Sequence, residues 1–119
     1  KTRFVRIRTS PRGSTRAAGL LISLAGPVTY KNAARNREVA AGLPLAALVL
    51  ETDAPFLAPA PRRGARNEPS FVRHTAEFVA GLRDMDLAEL AAATTANAAR
   101  LFGGGLARAT SAAQLPEAA

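Results

Sequence analysis

Cysteine and tryptophan are absent from this 119-residue chain, and histidine, tyrosine and methionine each occur once. Without cysteine there is no disulfide framework and no thiolate metal site. A lone imidazole, His74, leaves almost no material for a histidine-rich metal centre or for a Ser-His-Asp or Cys-His catalytic set. Six aromatic residues (Phe4, Tyr30, Phe56, Phe71, Phe78 and Phe102) offer little surface for stacking bases. Long hydrophobic runs are missing too. Ala17 to Val28 follows a basic segment, as the core of an export signal would, but it is shorter than the roughly 20 residues that cross a bilayer. The chain also opens on Lys1 and not Met, which weighs against a leader. The expected location is therefore the cytoplasm, with no membrane partner.

A single domain usually takes about 100–200 residues, so one small domain is the upper bound. The apolar fraction of 48% is enough for a core, but alanine supplies much of it. Alanine buries little area, and at roughly 25 cal/mol per Å² such a core is thin for an independent unit. The thin core and the Lys1 start leave a fragment open as a reading. The formal net charge of +7 is unevenly distributed. Lys1, Arg3, Arg6, Arg8, Arg12 and Arg16 stand in the first 18 residues without one acid, and the remainder carries a surplus of one positive charge. A basic nucleic-acid-binding role would rest on that arm alone.

Pro11, Gly13 and nearby Ser and Thr break any helix in residues 1–18. Leu20 to Leu24 is a short apolar run closed by Gly26-Pro27, which predicts a buried strand over about 20–24. Residues 31–41 suit a helix, with Gly42 where a left-handed terminating residue belongs and Pro44 preventing continuation. Leu45 to Leu50 predicts a second strand over about 46–51. Strand, helix, strand is a βαβ unit, so the fold class is α/β with two parallel strands buried on both faces. Three prolines in residues 54–66 mark an ordered loop, and Pro69 opens a helix over about 69–82. Its apolar face is Phe71, Thr75, Phe78, Val79 and Leu82. Asp86 and Glu89 form a capping-box variant for a last helix over about 87–102, with Leu87, Leu90, Ala91, Thr94 and Leu101 as its face. Gly103-Gly104-Gly105 ends that helix and lacks the Lys-Ser/Thr that a phosphate loop needs. Residues 106–119 read as a flexible tail, which leaves 19–105 as the folded unit.

The segment with most chemical content is Leu50-Glu51-Thr52-Asp53-Ala54-Pro55. It puts two carboxylates at the exit of a buried parallel strand, where α/β folds bind their ligands. A carboxylate there can ligate a divalent cation or take a proton from an attacking water. The plainer alternative is that Glu51 or Asp53 caps the loop or pairs with Arg62, Arg63 or Arg66. Strand alternation turns Glu51 away from the site, which favours a supporting role for it. Asn67-Glu68 reads as a loop support that caps the Pro69 helix. Arg62, Arg63 and Arg66 are either phosphate contacts or a solvated loop. His74 reads as a packed or surface residue and not a ligand.

These residues also carry a family resemblance. Gly19 to Ala33, with Ser23, Gly26-Pro27-Val28-Thr29-Tyr30 and Lys31-Asn32-Ala33, resembles a stretch of the TatD-family metal-dependent hydrolases. Leu43-Pro44-Leu45, Leu50 to Pro59, Arg63 to Pro69 and Thr95 to Phe102 resemble further motifs of that family, in order and at natural spacing. The resemblance covers residues 19 to about 103. It implies a TIM-type (β/α)8 barrel of roughly 250 residues, of which this chain would be the C-terminal third, its strands the seventh and eighth. It also implies phosphodiester hydrolysis of DNA, typically of the 3′→5′ exonuclease type, with two divalent cations such as Mg²⁺. Of the family's ligand set, only the last Asp maps onto this chain, as Asp53. There it would bind one metal and accept a proton from the attacking water. Glu51, Asn67 and Glu68 would be supporting residues, and Arg62, Arg63 and Arg66 would face the DNA. The "H-x-F-S-G" motif that should precede Gly19 is missing from residues 1–18, so that arm reads as out-of-frame or foreign sequence. The expected function is a fragment of a metal-dependent deoxyribonuclease that is inactive alone; the alternative is a small module that binds nucleic acid through the arm.

Overall fold

A computed structural model describes residues 21–103. The basic arm, the nucleic-acid-binding role attached to it, Gly104, Gly105 and the tail lie outside the described residues. Two short strands, β1 (Ile22–Leu24) and β2 (Leu48–Leu50), pair in parallel. Ile22 stands opposite Leu48, Ser23 opposite Val49 and Leu24 opposite Leu50. The Glu51 N–H donates to the Leu24 carbonyl at 2.9 Å and extends the ladder by one bond. A parallel pair needs a crossover. Here it is a 3₁₀ turn (Gly26–Thr29), helix α1 (Ala34–Gly42) and a second 3₁₀ turn (Leu45–Ala47). After β2 comes the proline-rich loop, with a 3₁₀ turn at Ala60–Arg62. A further turn at Pro69–Phe71 leads into α2 (Val72–Leu82), and α3 (Leu87–Phe102) follows.

The core lies where α2 and α3 pack on the sheet and on the Gly26–Thr29 turn. It consists of Ile22, Leu24, Val28, Ala40, Leu48, Ala76, Val79, Ala80 and Leu90. Leu48, Val79 and Leu90 are fully buried. The α2 face holds as expected, with Thr75 and Val79 inside and Phe71, Phe78 and Leu82 half-buried.

Several expectations are corrected. β2 begins at Leu48 and not at 46, because Pro44 starts a tight turn in which the Ala47 N–H donates to the Pro44 carbonyl at 2.9 Å; β1 begins at Ile22 and not at Leu21, and the expected strand residue 20 lies outside the described residues. Burial on both faces fails: Ser23 is exposed, since the described helices cover only the face bearing Ile22, Leu24 and Leu48. Helix α1 begins at Ala34 and not at 31, because residues 30–33 fold into a turn closed by Ala33 N–H to Tyr30 O at 3.1 Å. Gly42 is not left-handed. It is the last residue of α1, extended Leu43 follows, and Arg83 supplies the cap by donating from Nη1 to the carbonyls of Ala40 (2.7 Å) and Leu43 (2.9 Å). Asp86 occupies the N-cap position of α3 without any side-chain cap bond, so the capping box is positional only. On α3, Ala91 and Leu101 are exposed. Asn97 is buried in their stead, because its Nδ2 satisfies the carbonyls of Leu45 (2.8 Å) and Leu48 (2.7 Å). Gly103 does end α3 with a positive φ of 78°. Among the described residues, no helix is long and apolar enough to cross a membrane.

Candidate metal site

The backbone leaves β2 through half-buried Glu51 and Thr52 and reaches Asp53, which is exposed. Asp53 adopts a left-handed conformation with φ 60°, and Leu57 does the same with φ 54°. Between them the chain reverses in a turn closed by Phe56 N–H to Asp53 O at 2.9 Å, with a cis Ala54–Pro55 bond. The Ala54 N–H reaches Thr52 Oγ1 at 3.3 Å. Among the described residues, neither an ion pair nor a hydrogen bond engages the Asp53 carboxylate.

Two left-handed residues that are not glycine cost of order 1–3 kcal/mol each, so the surroundings must impose them. They do so from two sides. From the β1 side, Gly26 lets the loop come close: a Cβ there would lie 2.5 Å from the Leu57 carbonyl oxygen and 2.9 Å from Pro59 N. Thr29 Oγ1 donates to Gly26 O at 2.6 Å and accepts from the Ala60 N–H at 2.7 Å. The Tyr30 hydroxyl donates to Ala58 O at 2.8 Å. From the other side, Asn67 is 2% exposed, and its Nδ2 donates to Thr52 O and to Phe56 O, both at 2.6 Å. The Asn67 backbone N–H adds a bond to Pro55 O at 3.1 Å. At about 0.5–1.5 kcal/mol net apiece, these bonds are of the size needed to hold the loop. They also occupy the carbonyls of Thr52, Pro55, Phe56 and Ala58, while the Asp53 carboxylate has no partner among the described residues.

The other expected residues fall as follows. Glu51 is half-buried and forms no ion pair among the described residues. The pairing of Glu51 or Asp53 with Arg62, Arg63 or Arg66 is not seen. All three arginines are exposed; Arg63 stacks over the Tyr30 ring at 4.1 Å and Arg62 over Phe71 at 5.6 Å. Asn67 and Glu68 do not cap the Pro69 turn through their side chains. Asn67 reaches back into the loop, its Oδ1 accepting from the Glu68 N–H at 2.9 Å, while Glu68 Oε1 accepts from Ser70 Oγ at 2.6 Å. His74 stays on α2, tilted against Phe71 with ring centroids 5.7 Å apart. Gly26, Thr29 and Tyr30 were legible as motif members but not as the loop's anchors, since their partners lie about 30 residues away in sequence.

A hard, exposed and unengaged carboxylate fits a divalent cation of the Mg²⁺ type. Among the described residues no three His, Cys, Asp or Glu side chains converge, so Asp53 fits as one ligand and not as a complete site. A family model described as TatD related DNase matches residues 9–103. The chain belongs to the TatD family. A TatD relative from Bacillus subtilis (strain 168), the uncharacterized metal-dependent hydrolase YabD, is 52% identical over 81 residues, covering 68% of this chain and 32% of YabD. YcfH of Escherichia coli (strain K12), also named an uncharacterized metal-dependent hydrolase, is 49% identical over 84 residues, covering 71% of the chain and 32% of YcfH. The crystal structure of YJJV, a TatD homologue from Escherichia coli K12, superposes with a TM-score of 0.65 at 33% identity, covering 74% of this chain and 36% of that one. The chain thus spans about a third of the length of the curated TatD relatives it matches. Both relatives are named as metal-dependent hydrolases, which supports divalent metal use in the family.

Proposed function

We propose that this chain forms the C-terminal third of a TIM-type barrel and gives Asp53 to a two-cation centre that hydrolyses phosphodiester bonds in DNA, as a cytoplasmic 3′→5′ exonuclease. The observation that carries this reading is the free Asp53 carboxylate, exposed at the C-terminal end of a parallel strand on a loop pinned from both sides. Asp53 would hold one cation and take the proton of the attacking water. When bound, the cations supply Lewis-acid polarisation of the phosphoryl oxygens. Glu51, Asn67 and Glu68 would be supporting residues of the loop. The stacked guanidinium groups of Arg62 and Arg63, with Arg66 on the same exposed segment, present N–H donors to phosphate oxygens.

The test is a hybrid in which residues 19–103 replace the matching segment of YcfH. Release of label from single-stranded DNA, marked at either end, is followed in Mg²⁺. Hydrolysis beginning at the 3′ end is expected, with Asp53→Asn lowering kcat by about 10²–10⁴, the contribution of a positioned proton acceptor. A hybrid that cleaves other esters but leaves DNA intact overturns the nuclease reading, and an unchanged rate in Asp53→Asn overturns the role of Asp53. The 119-residue chain alone in Mg²⁺ is expected to leave DNA intact. Cleavage that disappears in Asp53→Ala would show a complete centre where we read one ligand.

A further inference from the structure

The contacts of Asn67 go beyond support of a loop. Its side chain spans the turn that carries Asp53: one Nδ2 hydrogen goes to the carbonyl of residue 52, just before Asp53, and the other to that of residue 56, which closes the turn. Oδ1 is held in turn by the Glu68 N–H, and the backbone N–H of Asn67 takes the carbonyl of Pro55. Only a primary amide offers two donors and an acceptor at this reach. The reverse amide orientation would set its oxygen against two carbonyl oxygens, so the hydrogen-bond pattern fixes the assignment. Asp would lack both donors, Gln is one methylene too long, and Ser has one donor for two acceptors. The group is buried, so water does not substitute for it.

We infer that Asn67 is a positioning residue for Asp53: by tying residue 52 to residue 56 it imposes the left-handed backbone that points the carboxylate outward at one place. The inference rests on the reading of Asp53 as a cation ligand. Loss of the bridge frees residues 52–57 to move while the helices stay folded, because the core of α2, α3 and the sheet is separate from this turn.

The experiment uses the full 119-residue chain, labelled with ¹⁵N, with Mn²⁺ as the probe. Mn²⁺ relaxes nearby amide protons steeply with distance, so the ratio between the most and least relaxed amides of residues 52–57 reports where the carboxylate holds the ion, whatever the affinity. A steep, fixed ratio is expected in the wild type. Asn67→Leu is expected to flatten it at least threefold and to speed hydrogen exchange at the Phe56 N–H at least about tenfold, with α2 and α3 exchange unchanged. Asn67→Ser reads the same effect if the leucine variant does not fold. Leu90→Ala, a core truncation far from the turn, is expected to lower the melting temperature and leave the ratio intact; this separates positioning from plain stability. A ratio unchanged by both Asn67 variants overturns the inference. Relaxation at residues 52–57 that persists in Asp53→Asn overturns instead the ligand reading beneath it.

Discussion

A glycine that touches nothing costs little to replace, whereas one under a neighbouring strand of backbone cannot take a methyl group. Gly42 belongs to the first kind, since an added Cβ meets nothing within 4 Å. Gly26 belongs to the second, with the Leu57 carbonyl oxygen 2.5 Å from the position of its missing Cβ. Gly26→Ala must therefore lift the loop away from Thr29, weakening the Ala60 N–H bond to Thr29 Oγ1. We expect it to destabilise the chain by about 1–3 kcal/mol, the usual range for overpacking, while Gly42→Ala is neutral or slightly stabilising. Thermal unfolding of the two variants side by side checks this, with faster exchange of the Ala60 amide as the local sign. At this scale the sequence was informative about Asp53, because a carboxylate at a strand exit has a recognisable chemistry. It singled out Asn67 as a loop support but gave it the wrong task, a helix cap, because its actual partners are backbone carbonyls that no side-chain pattern records.

Elements were legible in proportion to how local their causes are. The i, i+3 and i+4 spacing of Thr75, Val79 and their neighbours placed α2, and Gly103 with its positive φ stopped α3 where expected. Helix α1 was misplaced at both ends because guanidinium groups decide them. Arg37 binds the carbonyls of Tyr30 and Lys31 ahead of the helix, and Arg83, some 40 residues downstream, binds those of Ala40 in its last turn and Leu43 just beyond it. A half-buried guanidinium on two carbonyls is worth more than an ion pair in water. Arg83→Ala is expected to cost about 1.5–3 kcal/mol and to fray the last turn of α1. Arg73→Ala, which breaks the exposed Arg73–Glu77 pair (2.8 Å, side chains 74% and 45% exposed), is expected to cost no more than about 0.5 kcal/mol. Denaturant titration compares them. Equal losses would mean that Arg83 does not cap the helix. The face of α3 was misread for a related reason: Asn97 is drawn inside by the Leu45 and Leu48 carbonyls, which apolar periodicity does not count.

For the whole molecule, the thin core expected from the alanine content is present, with Ala40, Ala76 and Ala80 among its nine members. The candidate site is equally spare. Multi-ligand calcium modules of low affinity bind at 10⁻⁴–10⁻³ M, so one carboxylate binds more weakly than about 1 mM. At 0.1 mM Mg²⁺ the linked stabilisation is then below about 0.1 kcal/mol. Melting curves of the 119-residue chain in 0.1 mM Mg²⁺ and in excess EDTA are therefore expected to coincide. A shift of several degrees would reveal ligands beyond Asp53.

The docking of Gly26, Thr29 and Tyr30 onto residues 57–60 bears on anyone who recombines genes of this kind. A crossover placed between codons 31 and 56 would inherit the two halves of that clasp from different parents. The resulting product would carry an intact acidic motif on a misseated support, so breakpoints belong ahead of residue 22 or beyond residue 67.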